Sequence, residues 1–375
     1  MSGIYIHIPW CKQVCYYCDF HFRVSMRDKQ KMLETMCREI DLRKNYLGES
    51  EIKTVYFGGG TPSVLTVNEL EYLLNKIKDN FRLDKNYVEI TAEVNPDDLD
   101  YNYLSGLKKI GINRLSIGIQ SFDDNILKWM NRRHNAETAE KSIIMATEAG
   151  FKNISADLIY GIPGMDNELW KKQVKKMFSL PVTHFSAYHL TIEPATPFGV
   201  FMKRGNFAPA GNDIAAENFL TLMDMLPEQG FLWYEVANFC LPGYESKHNS
   251  SYWLREKYIG IGPSAHSFDL TSRQWNIAIN REYIEKVNNG GVFYERETLS
   301  VTDSYHDYIL TSIRTYKGVN YEYIRNNLGT EYENKARKFI IPYISSGHAE
   351  NFENGFRLTV KGLLLADKIT SELFC

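Results

Sequence analysis

Three cysteines near the amino terminus constrain this chain more than any other feature of its sequence. Cys11, Cys15 and Cys18 form a C-x3-C-x2-C pattern directly after Ile4–Ile8, an isoleucine-rich run that predicts a strand. Three soft thiolates at this spacing suit an iron–sulfur cluster. In a [4Fe–4S] cube, three cysteine ligands leave one iron open, and a small molecule can bind there.

Two other roles for closely spaced cysteines are weighed against the cluster. A structural zinc site usually combines two C-x2-C-like halves that lie well apart in the sequence, and no second half is present here. A disulfide framework is typical of short secreted chains, whereas a chain of 375 residues can bury its own core. The spacing therefore favours an iron–sulfur cluster, with zinc as the alternative.

Composition narrows the class of protein. With 44% hydrophobic and 24% charged residues, the chain is predicted to be an ordinary globular protein of about two domains. A net charge of −3 gives no bulk electrostatic reason to expect a nucleic acid partner. No signal peptide pattern and no run of about 18 apolar residues is present, so a cytoplasmic location without a transmembrane segment is predicted.

A pattern of strand, loop and helix recurs six times in the first half of the chain. Near-continuous apolar strands of this kind are typical of a parallel sheet covered on both faces. The predicted strands are Ile4–Ile8, Thr54–Phe57, Val88–Val94, Asn113–Gln120, Asn153–Tyr160 and His184–Thr191. They predict an α/β fold built on an incomplete (β/α)6 barrel, whose functional side chains follow the carboxyl ends of the strands.

Three regions are predicted. Residues 1–240 would form the partial barrel, residues 241–290 a connecting segment, and residues 291–375 a smaller helical domain. That last region reads as helices followed by a hairpin at Ala349–Leu358, which predicts a winged-helix-like accessory domain. Such domains often bind DNA, but this one has no dense basic face, so packing or partner contact is favoured.

The cysteine pattern, with the aromatic Tyr17 directly before the third cysteine, resembles the signature of the radical S-adenosylmethionine (SAM) superfamily. The longer frame, Y-I-H-I-P-W-C at Tyr5–Cys11 followed by C-D-F at Cys18–Phe20, is similar to one branch of it. This branch contains oxygen-independent coproporphyrinogen III oxidases and the related heme chaperones. The resemblance implies a [4Fe–4S] cluster whose open iron chelates SAM, and one-electron cleavage of the sulfonium as its generic chemistry.

The resemblance also implies a set of site residues. The cluster ligands would be Cys11, Cys15 and Cys18. Residues matching the SAM-contacting positions of the family are Tyr5, Tyr17, Gly59, Gly60, Thr61, Glu93, Gln120, Arg132 and Asp157. Arg132 can pair with the methionyl carboxylate, Glu93 can accept from the ammonium group, and Gln120 or Asp157 can hold the ribose hydroxyls.

Two departures favour the heme chaperone branch over the oxidases. The oxidase loop continues as C-x-C, whereas this chain has Cys18-Asp19-Phe20, and Cys11 leaves no room for the oxidase's amino-terminal arm. The motif H-N-x-x-Y-W at His248–Trp253 is associated with heme binding in the chaperones, which predicts His248 as an axial iron ligand. The resemblance thus implies heme and an acceptor hemoprotein as partners. These partners include membrane-bound hemoproteins, which the chain would contact peripherally. It also favours a chaperone without enzymatic activity. The oxidase reaction is the alternative.

Overall fold

Twelve strands form one large sheet within residues 2–374, the part of the chain that this computed structural model describes. In chain order they are β1 (Ser2–Ile8), β2 (Ile52–Gly59), β3 (Glu89–Val94), β4 (Arg114–Gln120), β5 (Asn153–Tyr160), β6 (His184–His189), β7 (Leu232–Glu235), β8 (Asn238–Cys240), β9 (Lys257–Ile261), β10 (His266–Phe268), β11 (Ser272–Asn276) and β12 (Tyr294–Thr298).

The first six strands lie side by side in chain order and are parallel. This confirms the predicted α/β partial barrel. The antiparallel pair β8 and β7 extends the sheet beyond β6, and β9 to β12 extend it beyond β1. Ile8 at the end of β1 pairs with Gly59 at the end of β2, so the loops after the parallel strands share one edge.

Fifteen α-helices accompany the strands within residues 2–374. They are α1 (Lys29–Leu42), α2 (Val67–Asn80), α3 (Tyr101–Ile110), α4 (Asp124–Trp129), α5 (Ala136–Glu148), α6 (Asn167–Phe178), α7 (Pro197–Lys203), α8 (Asn212–Met225), α9 (Lys247–Trp253), α10 (Asn280–Asn289), α11 (Val301–Ser312), α12 (Tyr321–Asn327), α13 (Thr330–Ser345), α14 (Val360–Leu363) and α15 (Ala366–Leu373). None of them is both long enough and apolar enough to cross a membrane.

Local sequence explains where α2 begins. The Thr66 side chain accepts a hydrogen bond from the backbone N–H of Glu69, and the Glu69 carboxylate accepts one from the backbone N–H of Thr66. This reciprocal capping box satisfies two backbone donors that a helix otherwise leaves unpaired. The helix then buries Leu70, Leu74 and Ile77 against the sheet, which fixes the loop before it close to the barrel mouth.

Helix α1 ends at Leu42, and a buried polar cluster accounts for this end. Directly after the helix, Arg43 is buried and donates hydrogen bonds to Glu39 Oε1 and to the carbonyl oxygen of Gly260, both at 3.0 Å. A buried guanidinium needs such partners, because leaving it unpaired would cost several kcal/mol. The chain therefore turns at Arg43 and ties α1 to β9.

The region after residue 300 contains helices and a second, smaller sheet. Its strands are β13 (Val319–Asn320), β14 (Ala349–Phe352) and β15 (Gly355–Leu358), in the order β13-β15-β14. This matches the helices and hairpin predicted there. Strand β12 lies beyond the boundary predicted after residue 290 yet pairs with β11 of the large sheet, so the division into three regions stays a prediction.

Candidate functional site

The three cysteines lie on a loop that leaves the carboxyl end of β1 and closes on itself. The backbone N–H of Cys11 donates to the carbonyl oxygen of Arg23 at 3.1 Å, and the N–H of Arg23 donates back to Pro9 at 2.9 Å. Between these bonds, the N–H of Cys18 donates to the carbonyl of Cys15 at 3.2 Å. All three thiols are partly buried, so the loop presents them together at the barrel mouth.

Two of the thiols already accept hydrogen bonds from the barrel. Thr61 Oγ1 donates to Cys11 Sγ at 3.2 Å, and Arg132 Nη1 donates to Cys15 Sγ at 3.3 Å. Burial raises the pKa of the Cys11 thiol to about 11 and that of Cys18 to about 12. Without a metal, Cys11 and Cys18 thus keep their protons at neutral pH, and a metal would bind by displacing them.

The described residues 2–374 contain no group of three or more His, Cys, Asp or Glu side chains gathered around one metal ion. A [4Fe–4S] cube takes its protein ligands at separate irons and so requires no such convergence.

The glycine loop after β2 packs against the start of the cysteine loop. The backbone N–H of Gly60 donates to the carbonyl oxygen of Ile8 at 2.8 Å. A Cβ atom on Gly60 would lie 2.5 Å from the carbonyl oxygen of Trp10, which is shorter than any real contact. Gly59 has φ +105°, a conformation that favours glycine, and lies against the ring of His7. These two glycines therefore let two backbone segments meet beside Cys11.

Arg132 connects the cysteine loop with strands β3 and β4. Its Nη2 donates to the carbonyl oxygen of Gly118 at 2.6 Å and to Asn95 Oδ1 at 3.0 Å, and its Nη1 lies 3.4 Å from the Tyr17 hydroxyl. The Nε atom is buried without a partner among the described residues. A buried, unpaired donor of this kind calls for a polar ligand or water.

Gln120 lies next to Arg132 and has an unusual backbone. Its φ is +65°, which is rare for a residue with a branched or long side chain and costs about 1–3 kcal/mol. Its Nε2 atom would be 3.0 Å from a Cβ on Gly118, a position that also lies 3.6 Å from Arg132 Nη2. The Gln120 amide and the Arg132 guanidinium thus both lie beside Gly118.

Glu93 and Asp157 are two carboxyl groups in the interior of the barrel. Burial raises the pKa of Glu93 to about 7, although it accepts a 2.8 Å hydrogen bond from the Tyr56 hydroxyl. Burial likewise raises the pKa of Asp157 to about 6, although Ser186 and nearby arginines lower it. Asp157 Oδ1 is buried without a partner among the described residues. Both groups are poised to respond to a cation.

We expect the contribution of Glu93 to the stability of the protein prepared without cofactors to fall as the pH rises from about 5 to 8. In the folded chain Glu93 has a pKa of about 7, above its usual 4.5, so the folded state binds this proton more tightly than the unfolded chain. The resulting stabilisation is complete below pH 4.5 and is lost as the pH rises through 7. Glu93→Gln does not titrate and should be more stable than wild type at pH 8 by about 2 kcal/mol.

Urea unfolding followed by circular dichroism at pH 5 and pH 8 measures this difference. Glu71→Gln, at an exposed position on α2, is the matched control and should follow wild type. Equal pH slopes for wild type and Glu93→Gln would show that Glu93 does not hold its proton more tightly in the folded state. A remaining slope in Glu93→Gln is expected, because the pKa values of Asp157 and Glu235 are raised as well and those of the buried His7 and His134 are lowered, which acts in the opposite direction.

A layer of aromatic rings separates His248 from the cysteine loop. Tyr5 of β1 pairs with Tyr56 of β2, and their rings stack with centroids 6.2 Å apart. His248 stacks on Tyr56 at 4.9 Å and lies beside Gly3 and Thr54, one layer closer to the amino ends of these strands. The structure therefore brings Tyr5 and His248 together, but it places His248 on the far side of Tyr5 from the cysteines.

Both ring nitrogens of His248 are already engaged. Nδ1 lies 2.8 Å from Thr54 Oγ1, and Nε2 lies 2.8 Å from the Tyr252 hydroxyl. The residue is 1% exposed, and burial lowers the pKa of its imidazole to about 3. Ligation of heme iron by His248 would require one of these hydrogen bonds to break, so this role stays a prediction.

Comparison with known proteins places this geometry in a family. The Radical SAM superfamily model matches residues 5–175. The chain is 32% identical to "Heme chaperone HemW" of Bacillus subtilis over 98% of both chains, and 33% identical to that of Lactococcus lactis over 98% of this chain and 96% of the relative. This chain belongs to the HemW family of the radical SAM superfamily.

A solved structure supports the fold of this HemW family member. Coproporphyrinogen III oxidase (HemN) from Escherichia coli, described as a radical SAM enzyme, superposes with a TM-score of 0.85. The match covers 99% of this chain and 89% of the oxidase, at 22% sequence identity. At this identity the likeness establishes the fold alone, including the region after residue 300.

The sequence reasoning missed Tyr56 and Thr54, which contact Glu93 and His248 inside the barrel. Both carry hydroxyl groups on strand β2, and their two-residue spacing puts them on one face. That alternation was the available signal, because polar groups facing a barrel interior need partners there.

Proposed function

We propose that this chain is a heme chaperone, which holds a [4Fe–4S] cluster and SAM, binds heme and transfers it to an acceptor hemoprotein. The observation that carries this proposal is the identity of 32% with the heme chaperone of Bacillus subtilis, over 98% of both chains. A match of that extent includes the cysteine loop, the barrel interior and the segment His248–Trp253. Contact with membrane-bound hemoproteins stays a prediction.

The arrangement of the three cysteine thiols supports the binding of a [4Fe–4S] cluster. Cys11, Cys15 and Cys18 lie on one closed loop, and two of their sulfur atoms already accept hydrogen bonds, from Thr61 and Arg132. Such bonds would stabilise thiolate ligands and tune the potential of a bound cluster. When bound, the cluster and SAM supply one-electron chemistry at the sulfonium.

Nine residues around the loop are proposed to hold SAM: Tyr5, Tyr17, Gly59, Gly60, Thr61, Glu93, Gln120, Arg132 and Asp157. The unpaired Nε of Arg132 supports a role in pairing with the methionyl carboxylate. Glu93 would accept from the ammonium group, and the unpaired Oδ1 of Asp157 would accept from a ribose hydroxyl. The chain's own contribution is to orient the cofactor and to exclude water from it.

Direct transfer of heme tests the proposal. Cluster-loaded protein is charged with hemin and mixed with increasing amounts of a heme-free hemoprotein, and the acceptor's absorption band is followed in time. Transfer through a complex makes the rate rise with acceptor concentration, whereas passive release makes it constant. Heme-loaded serum albumin serves as the passive control. A concentration-independent rate, or no binding of hemin, contradicts the chaperone function.

A second experiment tests the alternative function, the oxidase reaction. Cluster-loaded protein is incubated anaerobically with coproporphyrinogen III, SAM and a reductant, and the decarboxylated product is counted per protein. The chaperone proposal predicts less than one turnover. Many turnovers would instead assign oxidative decarboxylation to this chain.

A further inference from the structure

A row of polar side chains crosses the large sheet from Asp157 to its edge. Strand register pairs Asp157 of β5 with Ser186 of β6. It likewise pairs Ser186 with Asn238 of β8, and Asn238 with Glu235 of β7. Residues paired in this way point to the same face of a sheet, and here that face is the interior of the barrel. The row therefore begins at a proposed SAM contact and ends at strand β7.

Hydrogen bonds join the neighbours in this row. Asp157 is hydrogen-bonded to Ser186. The Ser186 hydroxyl donates to Asn238 Oδ1 at 2.8 Å, and Asn238 Nδ2 donates to Glu235 Oε1. Ser186, Asn238 and Glu235 are all buried. Because both ends of the Asn238 amide are engaged, this side chain cannot turn without leaving a buried polar group unpaired.

Glu235 is the fixed end of the row. It flanks the two-residue turn between β7 and β8, and the backbone N–H groups of Ala237 and Asn238 donate to its carboxylate. The turn itself is held against the barrel, since the N–H of Ala187 donates to the carbonyl oxygen of Ala237 at 2.8 Å. The carboxylate that orients Asn238 is thus tied to the backbone beside Ser186.

At the other end of the row, one oxygen of Asp157 is left for a ligand. Branched apolar side chains usually fill the interior of a barrel, and buried polar groups are tolerated when they are hydrogen-bonded. Three members of this row meet that condition, whereas Asp157 Oδ1 is buried without a partner among the described residues. The row therefore holds a carboxyl group in place and leaves one of its acceptors open.

We propose that Asn238 and Glu235 are positioning residues for SAM. Glu235 fixes the Asn238 amide, Asn238 fixes the Ser186 hydroxyl, and Ser186 holds the Asp157 carboxyl group toward the ribose. Neither Asn238 nor Glu235 touches the ligand itself. This inference rests on the SAM site of the proposed function. A hydrogen bond weakens steeply when its geometry is lost, so breaking the row weakens the ribose contact and spares the contacts to the methionyl end.

The ratio of two affinities tests this role in the cluster-loaded, full-length protein. Equilibrium dialysis measures the binding of SAM and of a SAM analogue that lacks both ribose hydroxyls. Wild type should favour SAM by about tenfold or more, because a hydrogen bond to a carboxylate is lost with the analogue. In Asn238→Ala and in Glu235→Ala this preference should fall to about threefold or less. Glu235→Gln keeps an acceptor for Asn238 Nδ2 and should recover most of it.

A merely structural role would not change this ratio, since partial unfolding weakens the binding of both molecules equally. Asn276→Ala is the matched control, because Asn276 is also buried and its Nδ2 donates to buried Glu39 at 2.8 Å. It should lose stability and keep the wild-type preference for SAM. Should Asn238→Ala fail to fold, Asn238→Asp has nearly the same volume, lacks the amide donor and should lose the preference in its place.

Asp157→Ala separates failure of this inference from failure of the site on which it rests. The preference for SAM should vanish in Asp157→Ala, and adding Asn238→Ala should change it no further, because both substitutions act on one contact. A wild-type preference in Asn238→Ala and Glu235→Ala, with the preference lost in Asp157→Ala, overturns the positioning role alone. Failure of wild type to bind SAM overturns the SAM site of the proposed function, and this inference with it.

Discussion

Replacing Cys11, Cys15 and Cys18 together by Ser is expected to lower the iron and the acid-labile sulfide of anaerobically reconstituted protein by more than about tenfold. Thiolates are the soft ligands that iron–sulfur clusters require, and a serine hydroxyl keeps its proton near neutral pH. The three thiols sit on one loop at the barrel mouth, so the substitution removes every cysteine of that site. Chemical analysis of iron and sulfide per protein measures the result.

Two buried cysteines outside the loop supply the control. Cys37 lies in α1 and Cys240 in β8, and their replacement by Ser should leave iron and sulfide at the wild-type level. Circular dichroism of the triple variant should match wild type, because serine and cysteine have nearly the same volume. Equal amounts of iron and sulfide retained by the triple variant would contradict a cluster at this loop.

Much of the barrel was predictable because the residues within and next to each strand determine where it begins and ends. The fifth strand was predicted at Asn153–Tyr160 and is found there, since an apolar run is followed directly by Gly161 and Pro163. The helix after it, Asn167–Phe178, is likewise defined locally, because the Asp166 side chain caps its first turn. Such signals lie within a few residues of the element that they define.

The edges of the sheet were not predictable in the same way. Strand β9 (Lys257–Ile261) pairs in parallel with β1, more than 250 residues earlier in the chain, and only tertiary packing brings them together. Strand β12 is exposed and rich in charged residues. Its sequence therefore lacks the alternation of apolar and polar residues that predicts a strand. Pairing partners of short strands depend on long-range contacts, which local patterns do not encode.

In the candidate site, too, contacts between residues near in sequence could be predicted and contacts between distant residues could not. The order of Cys11, Cys15 and Cys18 in sequence was enough to predict that they lie together, because eight residues of loop cannot separate them far. The pairing of His248 with Tyr252 was also readable, since residues four apart share one face of a helix. Its second partner, Thr54, comes from a distant strand, so the engagement of both nitrogens became visible only in the structure.

Arg132→Met is expected to weaken the binding of SAM to cluster-loaded protein by about 100-fold. We propose that the guanidinium pairs with the methionyl carboxylate, and hydrogen bonds to a charged group contribute about 1.5–3 kcal/mol. Methionine keeps the length of the side chain but removes its donors. Because Arg132 also holds Asn95 and the carbonyl oxygen of Gly118, the variant should lose some thermal stability as well. Equilibrium dialysis with labelled SAM measures the affinity.

Neighbouring substitutions separate binding from folding. Arg133→Met removes an adjacent guanidinium that pairs with Asp97, so it should cost stability without changing SAM affinity. Arg132→Lys keeps the charge but not the planar fork, and should recover only part of the affinity. Wild-type SAM affinity in Arg132→Met would assign the carboxylate to another group. Equal losses in Arg132→Met and Arg133→Met would mean that the effect comes from the fold, since the Arg132 guanidinium donates to Cys15 whereas that of Arg133 pairs with Asp97.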